Sequence, residues 1–249
     1  MQNRYAGDIG DFSKLGILRS LFSCGLTIGI NWYLTPDETH NGDGRHIKYL
    51  EKESFRACDE SLWSSLKRIV DSGRRNICSL QDERILPAVY YSAMLDYSGK
   101  TKKERAGFRE VWHKEALACL SDVDIVCADP DNGLIVPSAV GTRRENKFIL
   151  PEELKDYFKQ GSSIIYYQHK ARKLDPFYIE QHHRLLADPE LAGSAGLALK
   201  FLSTSQRYYF FIVQPRHREI IKDAMEQMLQ TAWGDYFQLL CPVPSSKSK

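Results

Sequence analysis

A nine-residue apolar run, Leu26–Leu34 (LTIGINWYL), narrows the folds open to this chain more than any other stretch of it. Its β-branched and aromatic residues read as a buried strand. Ahead of it, Phe12, Leu15, Leu18, Leu21 and Phe22 recur at helical spacing from about Asp11 to Cys24, and Gly25 stops that helix. Behind it, Thr35–Gly44 is a polar run full of turn formers. The alternation continues. Helices are expected over Ser61–Ser72, Lys100–Leu120, Pro151–Gln160, Phe177–Ala187 and His217–Trp233, and strands over Val123–Ala128, Ser163–Tyr167, Tyr208–Val213 and Tyr236–Leu240. Arg84–Leu95 is apolar and aromatic, and periodicity leaves its type open. Strand and helix in turn predict an α/β fold, a mostly parallel sheet with helices on both faces. No linker divides the chain, so 1–244 reads as one domain and 245–249 as a flexible tail.

Charge and cysteine usage exclude several function classes. Lys+Arg number 34 against 32 Asp+Glu, a net charge of +2, which argues against a protein that coats nucleic acid nonspecifically. A local basic rim stays open. None of the six cysteines forms a C-x-x-C pair, so no zinc site is expected. Reduced thiols and the lack of a signal-like start together lead us to expect a cytoplasmic protein. Arg19, the glycines and Asn31 interrupt Leu15–Leu34, so no membrane span is expected there. The chain also lacks a G-x-S-x-G elbow and a G-x-x-x-x-G-K-[ST] loop.

In open α/β sheets, ligands bind beyond the carboxyl ends of the strands. Three of the expected strands empty into chemically capable residues: the loop from Asp37 to Arg45, the run Asp129–Asn132, and Gln168-His169. Each group has an ordinary explanation alone, such as turn chemistry for Asn41-Gly42 and Asn132-Gly133. Their shared position at one sheet edge is what points to a site.

Three blocks in order also resemble a known family. Ala6-Gly7-Asp8-Ile9-Gly10-Asp11-Phe12-Ser13-Lys14 resembles the A-G-N-x-x-D-x-x-K opening of the large-subunit ribosomal RNA adenine-N6 methyltransferases. Thr39-His40-Asn41-Gly42-Asp43-Gly44-Arg45 is similar to that family's T-H-A-G-A-G-R loop, and Asp129-Pro130-Asp131-Asn132 falls where it carries D-P-P-Y. The resemblance implies a Rossmann-like class I methyltransferase fold with S-adenosylmethionine as cofactor. It implies that Asp11, Lys14, His40, Gly42 and Gly44 lie on the cofactor side, and Asp37, in the loop after the first strand, is expected with them. Asp129, Pro130, Asp131 and Asn132 would lie on the reacting side, Asp129 and the Pro130 carbonyl accepting from an acceptor amine, so that catalysis is mostly positioning. His169 is expected beside them from its place at a strand end.

The match departs from the family in two of the blocks, and two extra residues precede Thr39. Asp131 replaces the second proline and Asn132 replaces the aromatic on which a flipped base would stack, while Asp43 enters the glycine loop. Three functions follow as alternatives. The first is methyl transfer to a nucleic acid or nucleobase amine, with RNA or DNA as partner and phosphates contacted by Lys100, Lys102, Lys103, Arg105, Arg143, Arg144, Lys170, Arg172 or Lys173. The second is a metal-dependent nuclease or hydrolase using Asp129, Asp131 and His169. The third is a cofactor or nucleotide sensor that does not react.

Overall fold

A computed structural model describes residues 1–38, 44–203 and 206–240. Nine strands are present among them: β1 Ile28–Asn31, β2 Ala88–Tyr91, β3 Ile125–Ala128, β4 Gly133–Leu134, β5 Phe148–Ile149, β6 Ser163–His169, β7 Ala195–Phe201, β8 Arg207–Val213 and β9 Phe237–Leu240. The α-helices are α1 Ile9–Ser23, α2 Glu53–Arg56, α3 Glu60–Asp71, α4 Ile77–Asp82, α5 Lys102–Cys119, α6 Pro151–Lys159, α7 Asp175–Leu186 and α8 Arg218–Leu229. Seven strands form one sheet in the order β2-β1-β3-β6-β8-β7-β9, and β4 and β5 make a separate short parallel pair.

The sheet is mixed, which refines the expectation of a mostly parallel one. Strands β2, β1, β3 and β6 run parallel, whereas β8 is antiparallel to both β6 and β7, and β9 is antiparallel to β7. Its central strands are buried on both faces, as a helix-covered sheet requires. One face packs Ile28, Ile30, Ile125, Cys127 and Ile165 against α1, α3, α4 and α8. The other packs Val126, Ala128, Ile164 and Tyr166 against α5, α6 and α7. Among the described residues, no helix is long and apolar enough to cross a membrane.

The central apolar run pairs as a strand only over Ile28–Asn31, because the chain turns sharply just after it. Tyr33 adopts a left-handed backbone with φ 44°, which is uncommon for an aromatic residue. The Asn31 side chain holds that turn, its Oδ1 accepting the Tyr33 N–H at 3.0 Å and its Nδ2 donating to the Tyr157 hydroxyl at 2.9 Å. The turn sends Trp32 to the α1 face and Tyr33 to the α5–α6 face. Within Arg84–Leu95, Ala88–Tyr91 forms the edge strand β2. Strand β7 escapes a sequence reading, since AGLALKF has little β-branched content, and pairing with β8 and β9 on its two sides holds it. The expected tail 245–249 lies outside the described residues.

Candidate functional site

The chain leaves β1 toward β2 on one side of the sheet and leaves β3 toward β6 on the other. The connections leaving β1 and β3 therefore diverge, which makes the place between the two strand ends a topological switch point. The Asp129 N–H still donates to the Asn31 carbonyl at 3.0 Å, so the two strand ends stay tied just below the divergence. Above it opens a cavity of about 610 Å³, within the size range of small-molecule sites.

Helix α1 forms one wall. Asp8 caps it, Oδ1 accepting from Gly10 N at 2.7 Å and Asp11 N at 3.2 Å. One turn further, the Lys14 ammonium lies 2.9 Å from Asp11 Oδ1, 2.5 Å from Asp129 Oδ2 and 4.7 Å from the centre of the Trp32 ring. All three charged groups are almost fully buried. Burial opposes the charge on Lys14, but the carboxylates of Asp11 and Asp129 outweigh it and hold the ammonium pKa above the ordinary lysine value. Burial pushes the Asp11 pKa up to about 6, against the pull of Lys14. The other oxygen of Asp129, Oδ1, makes no hydrogen bond among the described residues.

The D-P-D-N run forms the second wall. Asp131 takes the Met1 amino group at 2.6 Å, the Gln2 amide at 2.8 Å and Lys147 at 3.8 Å. Burial would raise its pKa, but these partners hold it below the ordinary carboxylate value. Gln168 pins the backbone that follows. Its Nε2 donates to the Asn132 carbonyl and its Oε1 accepts from Leu134 N, and a Cβ on Gly133 would meet it at 2.3 Å. Half-buried Asn132 and His169 both face the cavity.

The sheet edge thus brings together Asp11, Lys14, Gly44, Asp129, Pro130, Asp131, Asn132 and His169, all expected from the sequence. Gly44 has φ 81°, and a Cβ there would meet the Arg4 carbonyl oxygen at 2.6 Å, so the backbone approaches as only glycine allows. Asp37 is corrected. It is exposed outside the cavity, accepting from Arg4 N at 3.3 Å, and the adjacent Glu38 lines the cavity instead. His40 and Gly42 lie outside the described residues.

Arg144, expected as a phosphate contact, also lines the cavity, and sequence reasoning missed Tyr5, Asp8, Lys147, Tyr167 and Arg207, which line it too. Tyr167 was legible, because period-two alternation places it on the same side of β6 as His169. Arg207 was not, since it reaches the site only by pairing opposite His169 across β6 and β8. For the hydrolytic alternative, the carboxylates are taken up by Lys14, Gln2, Lys147 and the Met1 amino group, and among the described residues no three His, Cys, Asp or Glu side chains converge as a metal site.

Comparison with known proteins adds little. No family model matches the chain, and no curated protein matches it. Among solved structures it is similar to the crystal structure of protein LPL1258 from Legionella pneumophila str. Philadelphia 1, of family model DUF519, at 12% identity and a TM-score of 0.46. That overlap covers 97% of this chain and 99% of the other, and nothing about function follows from it.

Proposed function

We propose that this protein is an S-adenosylmethionine-dependent methyltransferase of Rossmann-like class I type that acts on an amine of a nucleic acid or nucleobase. The observation that carries the reading is the state of Asp129 at the switch point. One carboxylate oxygen is anchored by buried Lys14, while the other makes no bond among the described residues on the wall of the cavity. A carboxylate held in this way is oriented before anything binds, which is what a reaction run by positioning needs.

The residues present fit the cofactor on two counts. The volume is sufficient, and Gly44 brings bare backbone to the cavity lining, packed so closely on Arg4 that no side chain fits. Asp11, Lys14 and Gly44 would hold it, with His40 and Gly42 of the neighbouring loop. When bound, S-adenosylmethionine supplies an electrophilic methyl group. Asp129 Oδ1 and the Pro130 carbonyl accept from the acceptor amine and aim its lone pair, and Lys14 holds Asp129 in place. Exposed Arg143, Arg144, Arg172 and Lys173 flank the wall residues in sequence and suit a phosphate backbone.

Replacing Asp129 tests the assignment. Asp129→Ala is expected to abolish methyl transfer from radiolabelled cofactor to a mixed pool of RNA and DNA, with cofactor affinity kept within about threefold, because Lys14 retains Asp11 as its partner. Transfer at the unaltered rate in Asp129→Ala would remove Asp129 from the mechanism.

A further inference from the structure

The fourth position of the D-P-D-N run is Asn132, so the run itself offers no ring for a planar acceptor. The neighbouring strand does. Strands β3 and β6 are parallel with Ala128 opposite Tyr166, which sets Asp129 beside Tyr167 one residue further on. Adjacent strands lie about 4.8 Å apart. Both side chains leave the sheet on the α1 face, as Cys127 and Ile165 do two residues earlier, whereas Tyr166 points into the opposite core. Tyr167 is half-buried and lines the cavity.

Its ring is held in place. The Arg207 guanidinium lies over it at 5.9 Å from the centroid, and Tyr209 meets it edge-on at 6.1 Å. Tyr209 is fixed in turn, its hydroxyl 2.6 Å from Ser13 Oγ in α1. The Tyr167 hydroxyl makes no hydrogen bond among the described residues. Burial and the carboxylates of Asp129, Asp8 and Asp131 outweigh Arg207 and push its pKa up to about 12, so the phenol is neutral at physiological pH.

We infer that Tyr167 is the aromatic platform for the acceptor base, supplied from β6 in place of the ring absent at Asn132. A base whose amine reaches Asp129 Oδ1 lies beside this ring, and the contact of Arg207 with the ring holds the platform in place. Stacking on an aromatic ring tolerates any base, so Tyr167 supplies affinity for a planar ring, and choice among bases falls to groups such as Asn132. The inference rests on the methyl-transfer reading for the role of Asp129.

The test compares the full chain with Tyr167→Phe and Tyr167→Leu. Fluorescence anisotropy measures binding to a short labelled single-stranded RNA of mixed sequence and to an abasic strand of the same length. Calorimetry measures S-adenosylmethionine affinity in parallel. Tyr167→Leu is expected to lose about tenfold or more on the base-bearing strand, with Tyr167→Phe within about twofold of the original. The abasic strand should bind all three equally. Equal affinity of Tyr167→Leu for the base-bearing strand, or no preference of the unaltered protein for bases over the abasic strand, overturns the inference. Should Tyr167→Leu fail to fold, photo-crosslinking of the unaltered protein to a strand carrying 5-iodouridine decides: a crosslink at Tyr167 supports the platform, and crosslinks only elsewhere refute it. If the base-dependent pattern appears without cofactor binding, the platform stands and the methyl-transfer reading falls.

Discussion

Lys14 is the residue on which the site depends. It bridges two carboxylates from different parts of the chain, and all three groups are almost fully buried. Removing one partner of such a group leaves uncompensated buried charge. Lys14→Met is therefore expected to destabilise the protein by about 3–5 kcal/mol in urea unfolding. Adding Asp11→Asn to that variant should recover part of the loss, and no recovery would mean that Lys14 acts through packing alone. At this scale much of the site was legible. Asp11, Lys14 and Asp129 stand in the blocks that carried the resemblance, and β-strand ends draw chemistry to themselves. Arg207 was hidden in a pairing that only the folded sheet creates, whereas Tyr167 could be placed beside His169 by strand alternation although its aromatic strand also reads as core. Asp37 misled, because a carboxylate in a polar loop looks the same whether it turns inward or, as here, outward to cap the Arg4 amide.

At the scale of elements, a second buried ion pair locks two helices behind the sheet. Arg109 of α5 meets Glu153 of α6 at 2.7 Å and also donates to the Phe148 carbonyl at 2.6 Å, while Glu153 takes the Tyr33 hydroxyl at 3.1 Å. The pair thereby supports the turn that ends β1. Arg109→Met should cost about 3–5 kcal/mol in unfolding free energy, since Glu153 is left buried and unpaired. Helix α7 carries a pH-sensitive contact. His182 is buried with its Nδ1 3.0 Å from the Tyr166 hydroxyl, and burial holds its pKa down to about 3. The unfolded chain binds a proton near pH 6.5 and the folded chain does not, so this group's contribution is intact above about pH 6.5 and is lost as pH falls toward 3. Within that window it adds up to about 1.4 kcal/mol per pH unit to the slope of stability against pH. His182→Asn should flatten the slope by that amount, and an unchanged slope would place the titration elsewhere. Long amphipathic helices such as α5 were readable from spacing. Strand β7 and the two-residue β4 and β5 were not, because their conformation comes from neighbours rather than from their own residues.

For the whole molecule, the topology explains why one edge of the sheet gathers the chemistry. Reversal of the connections at β1 opens a crevice, α1 supplies a charged wall, and the loops after β3 and β6 supply the others. A net charge of +2 leaves any hold on nucleic acid to local groups. Affinity for single strands should therefore fall with salt at a slope of about −0.7 per phosphate contacted, and Arg172→Glu with Lys173→Glu should lower that slope by roughly one to two contacts. A slope unchanged by the pair would place the strand on another face. The central claim, that the crevice at the switch point holds S-adenosylmethionine, is tested most directly by calorimetric titration of the purified protein with that cofactor. Saturable binding at micromolar levels, about −8 kcal/mol, is the predicted result. No heat of binding at millimolar cofactor would contradict the account.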